Sequence, residues 1–126
     1  MKIVVTDHAF PDLATVEAVA TAAGATLVGA QTKDPARLAA AVADADAVIT
    51  QFAPVNADVI GAMQRARAIV RYGIGVDNVD LAAARSHGIP VCNIPDYCID
   101  EVADHTLAFI LALTRQVPSH NRLVHD

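Results

Sequence analysis

Short apolar runs and longer stretches of helical periodicity take turns along the chain from Lys2 to Cys92. Residues 2–6 form a β-branched run and predict a first strand. Leu13, Val16, Val19, Ala20 and Ala23 recur at helical spacing, and Gly24 ends the helix they predict. Residues 25–29 read as a second strand. Asp34-Pro35 is a cap followed by proline at the first helical position, opening an Ala-rich helix to about Asp44. Residues 47–50 read as a third strand, and Asn56 caps a helix carrying Val59, Ile60 and Met63. Residues 68–72 form a fourth strand, Asp80 caps a short helix to His87, and Gly88 closes it. Residues 89–92 make a fifth strand. Five strands alternating with helices predict an α/β fold, a flavodoxin-like open parallel sheet with helices on both faces.

The pattern changes after Asp100. Residues 100–114 predict a helix whose start is acidic (Asp100, Glu101, Asp104), where the helix dipole favours negative charge. The run from Leu107 to Leu113 is apolar all round, and such a helix needs cover on every side. Pro118 interrupts it, and a polar helical pattern resumes over residues 119–126. The expected organisation is a domain over residues 1–99 and a C-terminal crossing helix over residues 100–126.

Composition narrows the class. With 54% hydrophobic residues, only 4% aromatic and no Trp, the core is built from Ala, Val, Ile and Leu, as parallel sheets covered by helices are. A formal charge of -5 without basic clusters argues against nucleic acid or an anionic membrane as partner. No apolar run approaches the roughly 20 residues that span a bilayer. Two cysteines, Cys92 and Cys98, fit a reducing compartment, and Met1-Lys2 runs straight into a strand. A cytoplasmic location is the expectation. Cys92, in a strand, reads as core.

Ligands of such sheets bind beyond the carboxyl ends of the strands, and Arg71-Tyr72-Gly73-Ile74-Gly75-Val76-Asp77-Asn78-Val79-Asp80 lies there. Two glycines two apart allow a sharp turn with backbone N–H groups facing a ligand, an anion cradle. The stretch nearly spells G-x-G-x-x-G, with Asp96 about 20 residues on as the dinucleotide rule asks. Asn78 replaces the third glycine, however, and the next helix starts only near Asp80, too far to meet a pyrophosphate. A carboxylate cradle and a turn that merely redirects the chain both fit better. Asp77, Asn78 and Asp80 read as loop scaffolding. Arg71 stands where a cation reaches an anionic ligand or pairs with a surface carboxylate. Asp7, His8, Thr50 and Gln51 follow the first and third strands and line the same edge. Asp104 and His105 are adjacent on a helix and so face apart, which favours a solvated helix start over a metal site.

Taken together, RYGIGVDNVDLAAARSHGIPVCNIPDYCIDEVADHTLAFILALTR resembles the D-isomer-specific 2-hydroxyacid dehydrogenase family. The glycine turn, then G-I-x-V-x-N-x-P, then V-A-[DE]-x-T-x-x-x-[IL]-L follow in that family's order. The block with Val91-Cys92-Asn93-Ile94-Pro95 and Glu101-Val102-Ala103-Asp104 resembles the branch of phosphoglycerate dehydrogenases and C-terminal-binding-protein co-repressors. The resemblance implies that the turn donates N–H groups of Ile74 and Gly75 to a substrate carboxylate. It also implies that Gln51 reaches toward substrate, and that Ile74 and Val102 face a nicotinamide. The cofactor would be NAD or NADP, the substrate a small 2-keto or 2-hydroxy carboxylic acid.

The family's G-x-G-x-x-G and its catalytic Arg, Glu and His have no counterpart here, and His87, His105, His120 and His125 do not match the catalytic histidine. No metal ligand is implied. The resemblance therefore implies the substrate-binding part of an oxidoreductase acting on the CH-OH group of 2-hydroxy acids. A truncated chain of this kind is expected to be inactive alone and to bind no cofactor tightly. The apolar run from Leu107 to Leu113 is then expected to meet a second domain or another copy. A non-enzymatic small-acid-binding or co-repressor-like module is the alternative. A phosphoacceptor receiver shares the fold class but wants acids and a lysine where Asp7-His8, Thr50-Gln51 and Asn93 stand.

Overall fold

The structure, a computed structural model, describes residues 1–125. Strands β1 (Lys2–Val5), β2 (Thr26–Gly29), β3 (Ala47–Thr50), β4 (Ile69–Arg71) and β5 (Val91–Cys92) form one parallel sheet. Their order is β2-β1-β3-β4-β5, the flavodoxin-like arrangement expected from the sequence. Helices α1 (Ala14–Ala22), α2 (Pro35–Val42), α3 (Ala57–Ala62) and α4 (Leu81–Ser86) fill the crossovers. The caps act as read: Asp34, Asn56 and Asp80 accept from the backbone N–H of Arg37, Val59 and Ala83. Each satisfies a donor that the helix itself leaves orphaned. β5 is shorter than the apolar run predicts, because Pro90 has no N–H to give and contributes only its carbonyl, to Ile69 N–H.

The chain steps from β1 to β2 in one direction and then returns past β1 to β3, β4 and β5. Right-handed crossovers therefore put α1 on one face and α2, α3 and α4 on the other. The packed core lies under α2–α4: Leu38, Val42, Val59, Ile60 and Ala84 meet Val4, Val48 and Ile69 of the sheet. Sheet register explains where packing is lost. The row Val4, Val48, Ile69 is fully buried, on the helix-rich face. The alternate row runs Val5, Ile49, Val70, Cys92 and passes from buried through half-buried to exposed. Cys92 is thus not core, as expected, but exposed on the α1 face at the far edge of the sheet. Val19 is likewise 67% exposed, because it sits at the margin of the inner stripe that Ala20 anchors.

Residues 1–95 form one compact unit, and a second begins at Asp96. The second holds α5 (Ile99–Thr114) and α6 (Val117–His125), which follow each other across a two-residue break. α5 carries Asp100 and Glu101 in its first turn and has no buried residue. Leu107, Phe109, Ile110, Leu111 and Leu113 are all more than half exposed. The helix stops at Arg115, and Gln116 turns the chain with φ 52°. Pro118 lies just past this break, in the first turn of α6, where a missing N–H is harmless. Asp126, the last residue of the polar pattern, lies outside the described residues. Among the described residues no helix is long and apolar enough to cross a membrane.

Candidate functional site

The carboxyl ends of β1 and β3 mark the point where the strand order reverses, and Asp7 occupies it. Its carboxylate is 5% exposed and accepts from three consecutive backbone N–H groups, those of Gln51, Phe52 and Ala53, at 2.9–3.2 Å. Thr6 Oγ1 donates to it as well, at 3.0 Å. Burial pushes the Asp7 carboxyl up, but the donors from Ala53, Gln51, Phe52 and Thr6 outweigh burial and hold it below the ordinary 3.8. A carboxylate so committed clamps the loop after β3 and is unavailable as a ligand. Thr50 is equally committed: it is fully buried, and its Oγ1 donates to Ala53 O at 3.3 Å.

The same loop is tied to the glycine turn. Asn78 Nδ2 donates to Ala53 O at 2.9 Å. Val55 N–H donates to Asn78 O and Asp80 N–H to Val55 O, so Val55 and Val79 pair like a fragment of sheet. Asn78 is therefore a tether that a third glycine would lack. Beyond the turn, Asn93 Nδ2 donates to Ile74 O at 2.8 Å, and Ile94 N–H to Gly73 O at 3.0 Å. The carbonyls of Gly73, Ile74 and Asn78 are thus engaged. The N–H groups of Ile74 and Gly75, in contrast, meet no acceptor among the described residues.

Gly73 is required by its backbone conformation, and a side chain there would also have to displace the flexible end of Arg71. The Gly73 φ is 143°, outside the range of L side chains, and a Cβ there would overlap Arg71 Nη1. The Arg71 side chain thus folds over the glycine, with its Nε buried and unbonded. Arg71 makes no ion pair among the described residues, which removes the reading of a surface salt bridge.

Arg71, Gly75, Asn78, Gln51, Phe52 and Asp77 line one cleft of about 170 Å³, the volume of roughly six waters. Three of the residues singled out in the sequence, Gln51, Arg71 and Gly75, meet there. Ile74, 41% exposed, lies beside the cleft and not in its lining. Val102 is on α5, in the second unit, and is 59% exposed. Gln51 Oε1 accepts from Ala9 N–H at 2.7 Å, which fixes the amide so that Nε2 is the end left free. Sequence reasoning missed Phe52 and took Asp77 for scaffolding. Asp77 makes no hydrogen bond among the described residues and leans over Gly75, where a Cβ would lie 3.0 Å from its Oδ2.

The remaining polar residues have other work. His8 N–H and C=O are held by both ends of the Gln31 amide, which pins Gln31 at φ 45°. His105 packs edge-on against Phe109 at 5.2 Å. Among the described residues no cluster of three His, Cys, Asp or Glu is placed to hold a metal ion. A pyrophosphate does not fit the turn either. α4 starts only at Leu81, and the N–H of its third residue, Ala83, already bonds the Asp80 carboxylate, a negative charge where a phosphate would have to sit.

A parallel sheet in this order with a cleft lined by Arg71 and Gly75 at its carboxyl edge defines a class, and comparison with known proteins places the chain in a family. The chain belongs to the D-isomer specific 2-hydroxyacid dehydrogenase family, whose catalytic domain matches residues 3–119. It is 41% identical over 87 residues to a D-3-phosphoglycerate dehydrogenase of Mycobacterium bovis, covering 68% of this chain and 16% of that enzyme. A glyoxylate reductase of Pyrococcus furiosus is 34% identical over 86 residues, 68% of this chain and 26% of the relative. The NAD+-bound 3-phosphoglycerate dehydrogenase of Entamoeba histolytica superposes with a TM-score of 0.78 at 28% identity, over 89% of this chain and 38% of that one. The chain therefore spans a minor part of the length of each of these relatives.

Proposed function

We propose that this chain is the substrate-binding part of an NAD(P)-dependent D-2-hydroxyacid dehydrogenase, which reversibly reduces a 2-keto acid. One observation carries the reading: the unspent N–H of Gly75 and an Arg71 without an ion pair share a cleft at the sheet's carboxyl edge. The N–H of Ile74 adjoins it. A carboxylate placed there accepts from preorganised backbone donors, with a cation beside it, and needs no side chain to reorganise. The relatives' names, D-3-phosphoglycerate dehydrogenase and glyoxylate reductase, support a small acid as ligand.

The residues present do not fit the cofactor's pyrophosphate, so the dinucleotide is held outside the turn from Gly73 to Asn78. In this reading Ile74 offers an apolar flank to the nicotinamide, Val102 does the same from α5, and α5 leads toward the cofactor-binding part. Binding and orienting the acid is what these residues do, and the chain alone is inactive.

The test is calorimetric titration of the 126-residue protein with oxalate. Arg71→Ala is expected to weaken binding at least tenfold, and NADH with pyruvate to give no turnover. Oxalate binding unchanged by Arg71→Ala, or steady NADH oxidation by the chain alone, contradicts the proposal.

A further inference from the structure

Two segments wall the cleft. The loop after β3 supplies Gln51 and Phe52, and the glycine turn supplies Arg71, Gly75, Asp77 and Asn78. The fully buried Ala53 joins them through its backbone N–H and C=O. Its N–H donates to Asp7 Oδ1 at 2.9 Å, and its C=O accepts from Asn78 Nδ2 at 2.9 Å and from Thr50 Oγ1 at 3.3 Å. Val79 N–H donates in turn to Val76 O, which closes the turn directly after Gly75. A line of bonds therefore runs from Asp7 through Ala53 and Asn78 to the residue that follows Gly75. Asp7 itself is 5% exposed and takes no part in lining the cleft.

From this geometry we infer that Asp7 is a positioning residue for the acid site: by anchoring the Ala53 peptide it sets the spacing between the Gln51 wall and the N–H groups of Ile74 and Gly75. The inference rests on the proposed carboxylate site and adds to it a residue that never touches the ligand. Two effects of Asp7 oppose each other. As a negative charge behind a site for an anion, it disfavours binding. As the shared acceptor of three consecutive backbone donors it holds the loop in one place, and chained hydrogen bonds strengthen one another in a buried setting. Positioning outweighs charge here, because three N–H dipoles and the Thr6 hydroxyl already face the carboxylate and blunt its repulsion at the cleft. Asp7→Asn separates the two effects. Oδ1 accepts from Gln51, Phe52 and Ala53, whereas Oδ2 accepts only from Phe52. The near-isosteric amide removes the charge, keeps the Oδ1 bonds and sets its Nδ2 against the Phe52 N–H, donor against donor.

The test is oxalate titration of the 126-residue protein, read by calorimetry and by the amide resonances of the 15N-labelled chain. Asp7→Asn is expected to weaken oxalate about threefold and to shift the Ile74 and Gly75 N–H resonances already in the free protein. Asn78→Ala cuts the same line and is expected to weaken oxalate about fivefold, with the double variant no weaker than that, since both remove one coupling. Thr6→Val, which takes a hydroxyl donor from the Asp7 carboxylate, is the milder variant should Asp7→Asn not fold, and is expected to shift the Gly75 resonance as well. A role in stability alone leaves the affinity and both resonances of the folded variant unchanged. A role through charge alone tightens oxalate. Either result overturns the inference, as does a double variant about fifteenfold weaker, the product that independent sites give. Oxalate failing to bind the unmodified chain refutes the carboxylate site instead, and the Gly75 shift in the free variant still decides whether Asp7 holds the turn.

Discussion

The glycine turn and helix α5 both carry unsatisfied groups, of opposite kinds. In the turn the carbonyls of Gly73, Ile74, Val76 and Asn78 are bonded, and the N–H groups of Ile74 and Gly75, near Arg71, meet no acceptor among the described residues. Along α5 the backbone is satisfied by the helix itself, and what is left over is apolar surface from Leu107 to Leu113. Two unspent donors suit one small anion. Five exposed large apolar side chains suit a macromolecular surface, because only burial of area repays them. On the reading proposed above, one short chain carries both a ligand site and a docking surface.

Mutations sharpen that contrast, starting where the turn is most tightly held. Asp7→Ala leaves three backbone donors without their acceptor and is expected to cost roughly 3–4 kcal/mol in chemical denaturation. The Asp7 carboxyl is held below the ordinary 3.8 in the fold, so it stabilises the native state above that pH. Its contribution is lost as pH falls through the lower folded value. The stability gap between wild type and Asp7→Ala is therefore expected to narrow below pH 4.

Gly73→Ala comes next, at about 2 kcal/mol, from a φ that alanine resists and an overlap with Arg71. Adding Arg71→Ala to it is expected to recover part of the loss, the overlap but not the strain. Asn78→Gly, which restores the third glycine of the fingerprint, is expected to cost about 1 kcal/mol through the lost bond to Ala53. It is expected to gain no NADH binding by fluorescence titration. Were it to gain any, the reading of Asn78 as a tether would be wrong.

On α5 the expected stability effect is smallest. Phe109→Ala is expected to change monomer stability by less than about 0.5 kcal/mol, because the side chain is 61% exposed. Its effect lies in association. α5 is acidic at Asp100 and Glu101, while Arg115 follows its end and Arg122 lies on α6, so two antiparallel copies oppose unlike charges. Sedimentation is expected to show self-association of the 126-residue chain that Leu111→Glu abolishes. A clean monomer at high concentration breaks the comparison with the turn.

The fold was largely legible because its signals are local: β-branched runs, caps at Asp34, Asn56 and Asp80, and glycines closing helices. Of the cleft, Gln51, Arg71 and Gly75 were readable from their places at strand ends. Phe52 was not, since an aromatic in a loop carries no periodic signal. The roles of Asp7 and Asp77 were out of reach for another reason: one carboxylate is spent on a loop 44 to 46 residues away and the other makes no hydrogen bond among the described residues. Nothing in either residue's neighbours in sequence says which. Cys92 was misplaced because an apolar strand announces burial but not which face of the sheet lies under helices.

The central claim is that the turn from Gly73 to Asn78 holds a carboxylate and not a pyrophosphate. Amide-resolved NMR titration of the 15N-labelled chain tests it most directly. Oxalate is expected to shift the Ile74 and Gly75 N–H resonances, with NADH leaving residues 73–78 unmoved. Shifts at those amides with NADH, and none with oxalate, contradict it.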